Sequence, residues 1–132
     1  MQFAQKNFYK KLLGRAGEKR ACEFLKKKGF KILETNYKTF VGEIDIIALD
    51  KEVLVFIEVK TRTSDGDSAF GRPSDAVNAA KRKNVIRAAK EFLRLYCKDD
   101  GRAVRFDVIE VYVTSERKIS NITHIKDAFS AY

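Results

Sequence analysis

The sequence predicts an α/β fold in which helices flank a mixed central sheet. Two segments carry apolar residues at every third or fourth position, as amphipathic helices do, and five shorter segments are apolar runs typical of strands. Their order along the chain is helix, three strands, helix and two strands, and a mixed sheet with helices packed on it fits this order best. At 132 residues the chain is long enough for a core, and we predict a single domain over residues 1–132.

The first half of the chain is predicted to form one helix and three strands. Leu13, Ala21 and Leu25 recur at helical spacing, and Gly29 is a typical residue for the position just after a helix. Three apolar runs separated by polar turns follow. The predicted elements are a helix over residues 7–28 and strands over residues 30–37, 43–49 and 53–60.

The second half of the chain begins with a segment rich in Ser, Asp and Gly, which predicts an exposed loop over residues 61–73. Ser74 or Asp75 is suitable to cap the helix that follows. The remaining predicted elements are this helix, which ends near residue 96, strands over residues 103–113 and 119–125, and a closing turn of helix over residues 127–132.

The net charge is +9, from 27 basic and 18 acidic residues. On charge alone, a nucleic-acid partner and a merely soluble basic protein are equally compatible with this excess. Basic residues crowd the two predicted helices, among them Arg15 and Lys19 in the first and Lys81 in the second, and this placement favours nucleic acid. An anionic membrane is a weaker alternative, because neither helix combines these residues with large exposed apolar side chains.

The sequence also predicts a cytoplasmic protein. No apolar run is long enough to span a bilayer, and the first residues lack the apolar centre of a signal peptide. Cys22 and Cys97 have no CxxC spacing, so in a reducing compartment we expect free thiols rather than a disulfide or a metal site.

Charged residues interrupt two strands that otherwise have core composition. Asp45 lies in the second predicted strand, and Glu58 and Lys60 lie in the third. A two- or four-residue loop centred between residues 51 and 52 pairs residues whose numbers add up to 103. Asp45 is then opposite Glu58, and Glu43 is opposite Lys60. We prefer the four-residue loop built on a type I turn, because Lys-Glu lacks the positive-φ residues of a two-residue turn.

Two opposed carboxylates suggest a cation. Opposed Cβ atoms on paired strands lie about 4.5–5.5 Å apart, so bare carboxylates at Asp45 and Glu58 would repel each other. Mg²⁺ commonly binds through one or two carboxylates while it keeps several waters. Lys60, on the same face as Glu58, could orient or deprotonate a water molecule, as phosphodiester hydrolysis requires. The alternative is an ordinary hairpin with a Glu43–Lys60 salt bridge, but the register and the otherwise apolar strands favour the metal site.

Other polar residues on apolar faces have two interpretations each. Glu18 lies on the apolar stripe of the first helix and either completes the metal site or pairs with a lysine. Lys81 could contact substrate, although its spacing alone favours extension to solvent. Arg105 and Asp107 share one face of a strand, which predicts a structural ion pair, with a supporting role at the site as the alternative. His124 is predicted to be a packing or surface residue rather than a metal ligand.

The pattern resembles a known superfamily. An Asp on one strand, Glu-x-Lys on the next and a Glu on the preceding helix resemble the PD-(D/E)XK nucleases, which have the restriction-endonuclease-like αβββαβ core and include archaeal Holliday-junction resolvases. A closer resemblance is to the YraN-like bacterial family. It rests on GRAGEKRACEFLKKKGFKIL, Asn36, GEIDIIA, VFIEVKTR, FGRP, RFDVI and HIKDAF, which together cover nearly the whole chain. The sequence departs from the superfamily pattern at Ile44, where Pro is common, and in lacking the Q-x-x-x-Y motif of exonuclease-type relatives.

The resemblance implies a metal-dependent nuclease, and our own prediction is an endonuclease that acts on structured or branched DNA with Mg²⁺ or Mn²⁺. The implied ligands and catalytic residues are Asp45, Glu58, the backbone carbonyl of Val59, the catalytic lysine Lys60 and the helix glutamate Glu18. We predict DNA contacts at Lys81, Arg72, Arg15 and Lys19, and supporting roles for Glu43, Arg105 and Asp107.

Two further expectations concern the loop that directly follows Lys60 and the oligomeric state. The loop over residues 61–73 is expected to close over the substrate, with Phe70 beside Arg72 near the phosphate backbone. A homodimer is plausible because resolvase-like relatives pair two sites. The rival functions are a non-catalytic nucleic-acid-binding module that retained the fold, which the intact carboxylate pair disfavours, and a subunit whose basic faces meet an acidic protein.

Overall fold

Five strands and two helices make up the described part of the molecule. A computed structural model describes residues 3–63 and 79–131, with side chains from residue 14 onward. The elements are α1 (Phe3–Lys27), β1 (Lys31–Lys38), β2 (Glu43–Asp50), β3 (Val53–Thr63), α2 (Ala79–Tyr96), β4 (Val104–Val113) and β5 (Ile119–Phe129).

The strands form one mixed sheet, as predicted, and lie in it in chain order. The pairs β1–β2, β2–β3 and β4–β5 are antiparallel, whereas β3 and β4 run parallel. Parallel neighbours need a crossover connection, and α2 lies in the segment between them. The predicted α/β class is therefore confirmed, and the architecture is consistent with the restriction-endonuclease-like fold.

Each face of the sheet has its own hydrophobic core. On one face, Ala21 and Leu25 of α1 pack against the sheet, and on the other face α2 does so through residues that include Val85 and Phe92. Side chains of β3 alternate between the two cores. The even-numbered residues of β3, such as Leu54 and Phe56, face α2. The charged residues of the strand, Glu58, Lys60 and Arg62, are also even-numbered and therefore lie on the same side.

The register between β2 and β3 confirms the predicted sum of 103, from Asp50–Val53 to Ile46–Ile57. The preferred four-residue loop is wrong, because Asp50 pairs directly with Val53 and leaves two residues in the turn. Lys51 adopts the left-handed conformation that such a turn needs, with φ of 56°. This conformation costs a non-glycine residue roughly 1–2 kcal/mol, which the added strand pairing offsets.

Two predicted boundaries are also wrong. β3 continues to Thr63, through the start of the predicted loop, because its pairing with β4 extends to Val113. The predicted closing helix is strand instead: β5 continues to Phe129, which pairs with Phe106 past an irregularity in the register. Residues 64–73 of the predicted loop, with Phe70 and Arg72, and the predicted caps Ser74 and Asp75 lie outside the described residues.

Neither helix, over the residues described, has an apolar stretch that could cross a membrane. The two cysteines, Cys22 and Cys97, are free thiols, as predicted.

Helix α1 packs closely on β3 at Gly17. A Cβ atom at this position would clash with Oγ1 of Thr61 and would lie 3.8 Å from Cβ of Val111. Glycine therefore permits the close approach of α1 to the sheet, and Glu18 follows it directly.

We predict that Gly17→Ala lowers the free energy of unfolding by about 1–2 kcal/mol, because the helix or Thr61 must move. Gly14→Ala in the same helix is the matched control, since a Cβ there has nothing within 4 Å. It should be neutral or stabilising by up to about 1 kcal/mol. Urea unfolding of both variants measures the difference, and equal effects of the two substitutions would contradict the close packing.

Candidate metal-binding site

Asp45 occupies a break in the hydrogen-bonded pairing on both sides of β2. The described pairs of β1 with β2 skip it, and those of β2 with β3 end at the preceding pair, Ile46–Ile57. Its side chain is 7% exposed, and Oδ2 accepts a hydrogen bond of 2.8 Å from the backbone N–H of Val59. The carboxylate thus joins the two strands at the point where they part.

Glu58 is a buried carboxylate in the sheet, only 1% exposed. Nζ of Lys81 lies 2.9 Å from its Oε2. Its Oε1 receives no hydrogen bond from the residues that the structure describes. Burial and the nearby charge of Asp45 raise the pKa of Glu58 from 4.5 to about 7, against the opposing effect of Lys81.

The neighbouring acids are perturbed in the same direction. Burial raises the pKa of Asp45, although the hydrogen bond from Val59 counteracts it. Glu18 is half-buried on α1, and burial followed by the charge of Asp45 raises its pKa, while a hydrogen bond with the side chain of Asn36 lowers it. Acidic charges from three elements therefore act on one another around Asp45.

Two lysines from different elements bring positive charge to these acids. Burial and the charge of Lys81 lower the pKa of Lys60, against the attraction of Glu58. Burial alone would also lower the pKa of Lys81, but its ion pair with Glu58 outweighs this and raises it. Lys81 therefore reaches the acids, rather than extending away to solvent as its spacing alone suggested.

Two of the described carboxylates are available to a divalent cation. Within the described ranges, no three His, Cys, Asp or Glu side chains form a cluster that could hold a metal. Asp45 and Glu58 offer a carboxylate pair, and Oε1 of Glu58 is a buried oxygen that no described donor satisfies. Mg²⁺ takes oxygen ligands and commonly keeps several waters, so two carboxylates are a sufficient protein contribution. The assignment of Glu18 and of the Val59 carbonyl as additional ligands stays a prediction.

The other predicted site residues are placed as follows. Glu43 pairs with Lys38 of β1, and the predicted Glu43–Lys60 opposition lies beyond the described pairing of β2 with β3. Glu43 nevertheless raises the pKa of Asp45, so it lies within electrostatic range of the site. Arg15 and Lys19 are exposed on α1.

Arg105 and Asp107 form the predicted ion pair, with Nε of Arg105 at 2.8 Å from Oδ1 of Asp107. Asp107 is fully buried and also accepts hydrogen bonds from His124 and from the backbone N–H of Asp127. Alternation along β4 places this cluster on the α1 side of the sheet, opposite Glu58, which supports the structural interpretation. His124 packs between Phe24 and Phe30, as predicted.

Sequence reasoning missed Glu110, which is fully buried beside the site. It pairs in register with Lys60 across the parallel strands. Its Oε1 accepts a hydrogen bond of 3.2 Å from Nε of Arg62, and its Oε2 accepts one of 2.6 Å from the hydroxyl of Tyr112. A carboxylate two residues after Val108 on an apolar strand was the available signal, but the parallel register that brings it to Lys60 is not readable from sequence.

The fold and the site define a mixed α/β protein with a buried acid pair and flanking lysines on the α2 side of its sheet. Residues 17–111 match the profile of the uncharacterised protein family UPF0102. A UPF0102 protein of Caldicellulosiruptor bescii is 42% identical over 119 residues, which are 90% of this chain and 98% of the relative. A UPF0102 protein of Caldanaerobacter subterraneus subsp. tengcongensis is 44% identical over 125 residues, which are 94% and 99% of the two chains.

The chain therefore belongs to family UPF0102, and the resemblance to the YraN-like family is confirmed.

The pKa of Glu58 predicts a stability signature. Because the folded pKa of about 7 exceeds the ordinary value of 4.5, the folded state favours the protonated acid. The stability that Glu58 contributes is fully present below its pKa in the unfolded protein. It is lost as the pH rises through its pKa in the folded protein. Glu58→Gln imitates the protonated form, so at about pH 8 it should raise the free energy of unfolding by roughly 1–3 kcal/mol.

The gain should nearly vanish at about pH 4.5, where the wild type is itself protonated. Thermal unfolding in EDTA measures both differences, and Glu52→Gln in the exposed β2–β3 turn is the control. A Glu58→Gln protein that is destabilised equally at both pH values would contradict the buried, ionisable state assigned to Glu58.

Proposed function

We propose that this protein is a metal-dependent endonuclease that hydrolyses phosphodiester bonds of DNA, with Mg²⁺ or Mn²⁺ as its cofactor. The observation that carries the proposal is the buried pair Asp45 and Glu58, in which one oxygen of Glu58 has no donor among the described residues. The order of elements and the Asp, Glu-x-Lys and helix Glu positions also support membership of the PD-(D/E)XK nuclease superfamily.

The acids would hold the cation. Asp45 and Glu58 are the proposed ligands, with the carbonyl of Val59 and the carboxylate of Glu18 as additional ligands. A bound divalent cation would supply Lewis acidity and neutralise the charge that develops on the phosphate. The two carboxylates must be ionised to bind it, and their raised pKa values make binding weaker as the pH falls.

The basic residues would act on water and phosphate. Lys60 has a lowered pKa, so a larger fraction of it is the neutral amine than for an ordinary lysine, and this form is suited to orient or deprotonate the attacking water. Lys81 neutralises Glu58 in the absence of a cation and could bind a phosphate oxygen once the cation takes its place. Arg62, held by Glu110, lies two residues beyond Lys60 on the same face and would bind the adjacent backbone. Each cleavage consumes one water and leaves one hydroxyl end and one phosphate-monoester end.

The positive charge of the chain favours DNA as the proposed partner. DNA fits a chain of net charge +9 whose α1 exposes Arg15 and Lys19, and salt-sensitive binding is the expected consequence. Structured or branched DNA is the proposed substrate, and the cytoplasm is the proposed location. Pairing of two sites in a homodimer is compatible with this function.

Incubation of the purified protein with supercoiled, single-stranded and four-way-junction DNA tests the proposal. We expect cutting with Mg²⁺ or Mn²⁺ and none with EDTA. Asp45→Asn and Glu58→Gln should reduce the rate to background, because each removes a ligand charge. Lys60→Ala should reduce it by about 10²–10⁴-fold, the usual contribution of an acid–base group.

Arg102→Gln is the control, since Arg102 is an exposed arginine paired with Asp100 at the other end of β4. It should cut at the wild-type rate. Salt-sensitive binding without cutting under any condition would instead support the non-catalytic module. Cutting that persists in EDTA or in the Asp45→Asn protein would assign the reaction to other residues.

A further inference from the structure

The turn between β1 and β2 carries a fully exposed phenylalanine. Phe40 is 108% exposed, whereas Tyr96, the next most exposed large apolar side chain in the described ranges, is 66% exposed. A ring with this exposure is not packed in its own turn. A ring left in water gains no hydrophobic stabilisation, so its burial against a ligand would be favourable.

The turn that presents Phe40 is held in place. The N–H and the Oγ1 of Thr39 both donate to the carbonyl of Gly42, at 2.8 and 2.9 Å, and Oγ1 accepts from the N–H groups of Val41 and Gly42. Gly42 packs against α2, since a Cβ there would lie 2.9 Å from Cβ of Asn84 and 3.1 Å from its carbonyl oxygen. Phe40 is therefore presented from a closed turn fixed against a helix.

The same contacts place the turn beside the acid pair. Asn84 follows Lys81 by three residues on α2, and Lys81 pairs with Glu58. Glu43, the first residue after the turn, raises the pKa values of Asp45 and of Lys81, which puts it in electrostatic range of both. Phe40 therefore projects from the end of the sheet that holds the candidate metal site.

We propose that Phe40 stacks on an unpaired base of the DNA strand whose backbone is bound at the acid pair. This inference rests on the proposed function and specifies its substrate as DNA with unpaired or unstacked bases, at a branch or in a single strand, in preference to continuous duplex. Proteins bind unpaired bases with exposed aromatic rings beside basic side chains, and Lys38 and Phe40 line the same depression in the surface. Phe40 and the partly exposed Val41 together are too small a surface for a stable interface between proteins.

Affinity measurements on three labelled probes of one sequence test this inference. The probes are a single strand, its continuous duplex and a four-way junction built from the same arms. All proteins carry Glu58→Gln, so that no probe is cut during titration. Adding Phe40→Ala should weaken binding of the single strand and the junction by at least about fivefold and change duplex binding by less than about twofold. Phe40→Trp should retain the affinity of the parent for all three.

Leu95→Ala is the matched control, because Leu95 is a 50% exposed apolar residue at the other end of α2. It should change binding of none of the probes. Equal losses on duplex and single strand, or no loss on any probe, would overturn the inference. So would a Phe40→Ala protein that changes only its oligomeric state in light scattering, because the ring would then contact a second copy. If the wild type neither binds nor cuts any probe with Mg²⁺, the proposed function itself fails; if the wild type cuts DNA and Phe40→Ala shows no selective loss of binding, only the inference fails.

Discussion

Two carboxylates are buried at the point where β2 and β3 part, and the properties of the site depend on the cost of keeping them there. Burial raises the pKa values of both Asp45 and Glu58, and the charge of Asp45 raises that of Glu58 further. The hydrogen bond from the N–H of Val59 offsets part of the cost of burying Asp45. The ion pair with Lys81 of α2 offsets part of the cost of burying Glu58. The hydrophobic cores on the two faces of the sheet offset the remaining free-energy cost, because they hold the strands and α2 in place around the acids.

The same sheet contains a buried acid in the opposite state, and the contrast shows what is unusual about Glu58. Burial alone would raise the pKa of Asp107, but hydrogen bonds from His124, Arg105 and the N–H of Asp127 outweigh it and lower the pKa. Asp107 is thus stable as a carboxylate without any added ligand. Glu58 is equally hidden from water, yet one of its oxygens has no described donor. Hydrogen bonds therefore account for the charged state of Asp107, whereas Glu58 has only Lys81 as a described partner, and the proposed cation would supply the second.

Local patterns in the sequence were sufficient for the order of the elements and for the register of the β2–β3 hairpin, because both depend on alternation and on one short turn. They were not sufficient where distant segments decide the geometry. The end of the pairing at Ile46–Ile57 depends on the side chain of Asp45 replacing a backbone partner. Lys60 lies beside Glu110 because β3 and β4 pair in parallel, and this register depends on the crossover connection between the two strands. The strand conformation near Phe129 depends on its pairing with Phe106, which overrides the local preference that suggested a helical turn.

The central claim is that Asp45 and Glu58 bind one divalent cation together. A crystal structure of the protein soaked with Mn²⁺ at a pH above 7 tests it most directly, because anomalous scattering locates the ion independently of any activity. The account predicts one anomalous peak within coordination distance of a carboxylate oxygen of each residue, with Lys81 displaced from Glu58. Ordered carboxylates with no peak between them, or with Mn²⁺ bound only elsewhere, would contradict it.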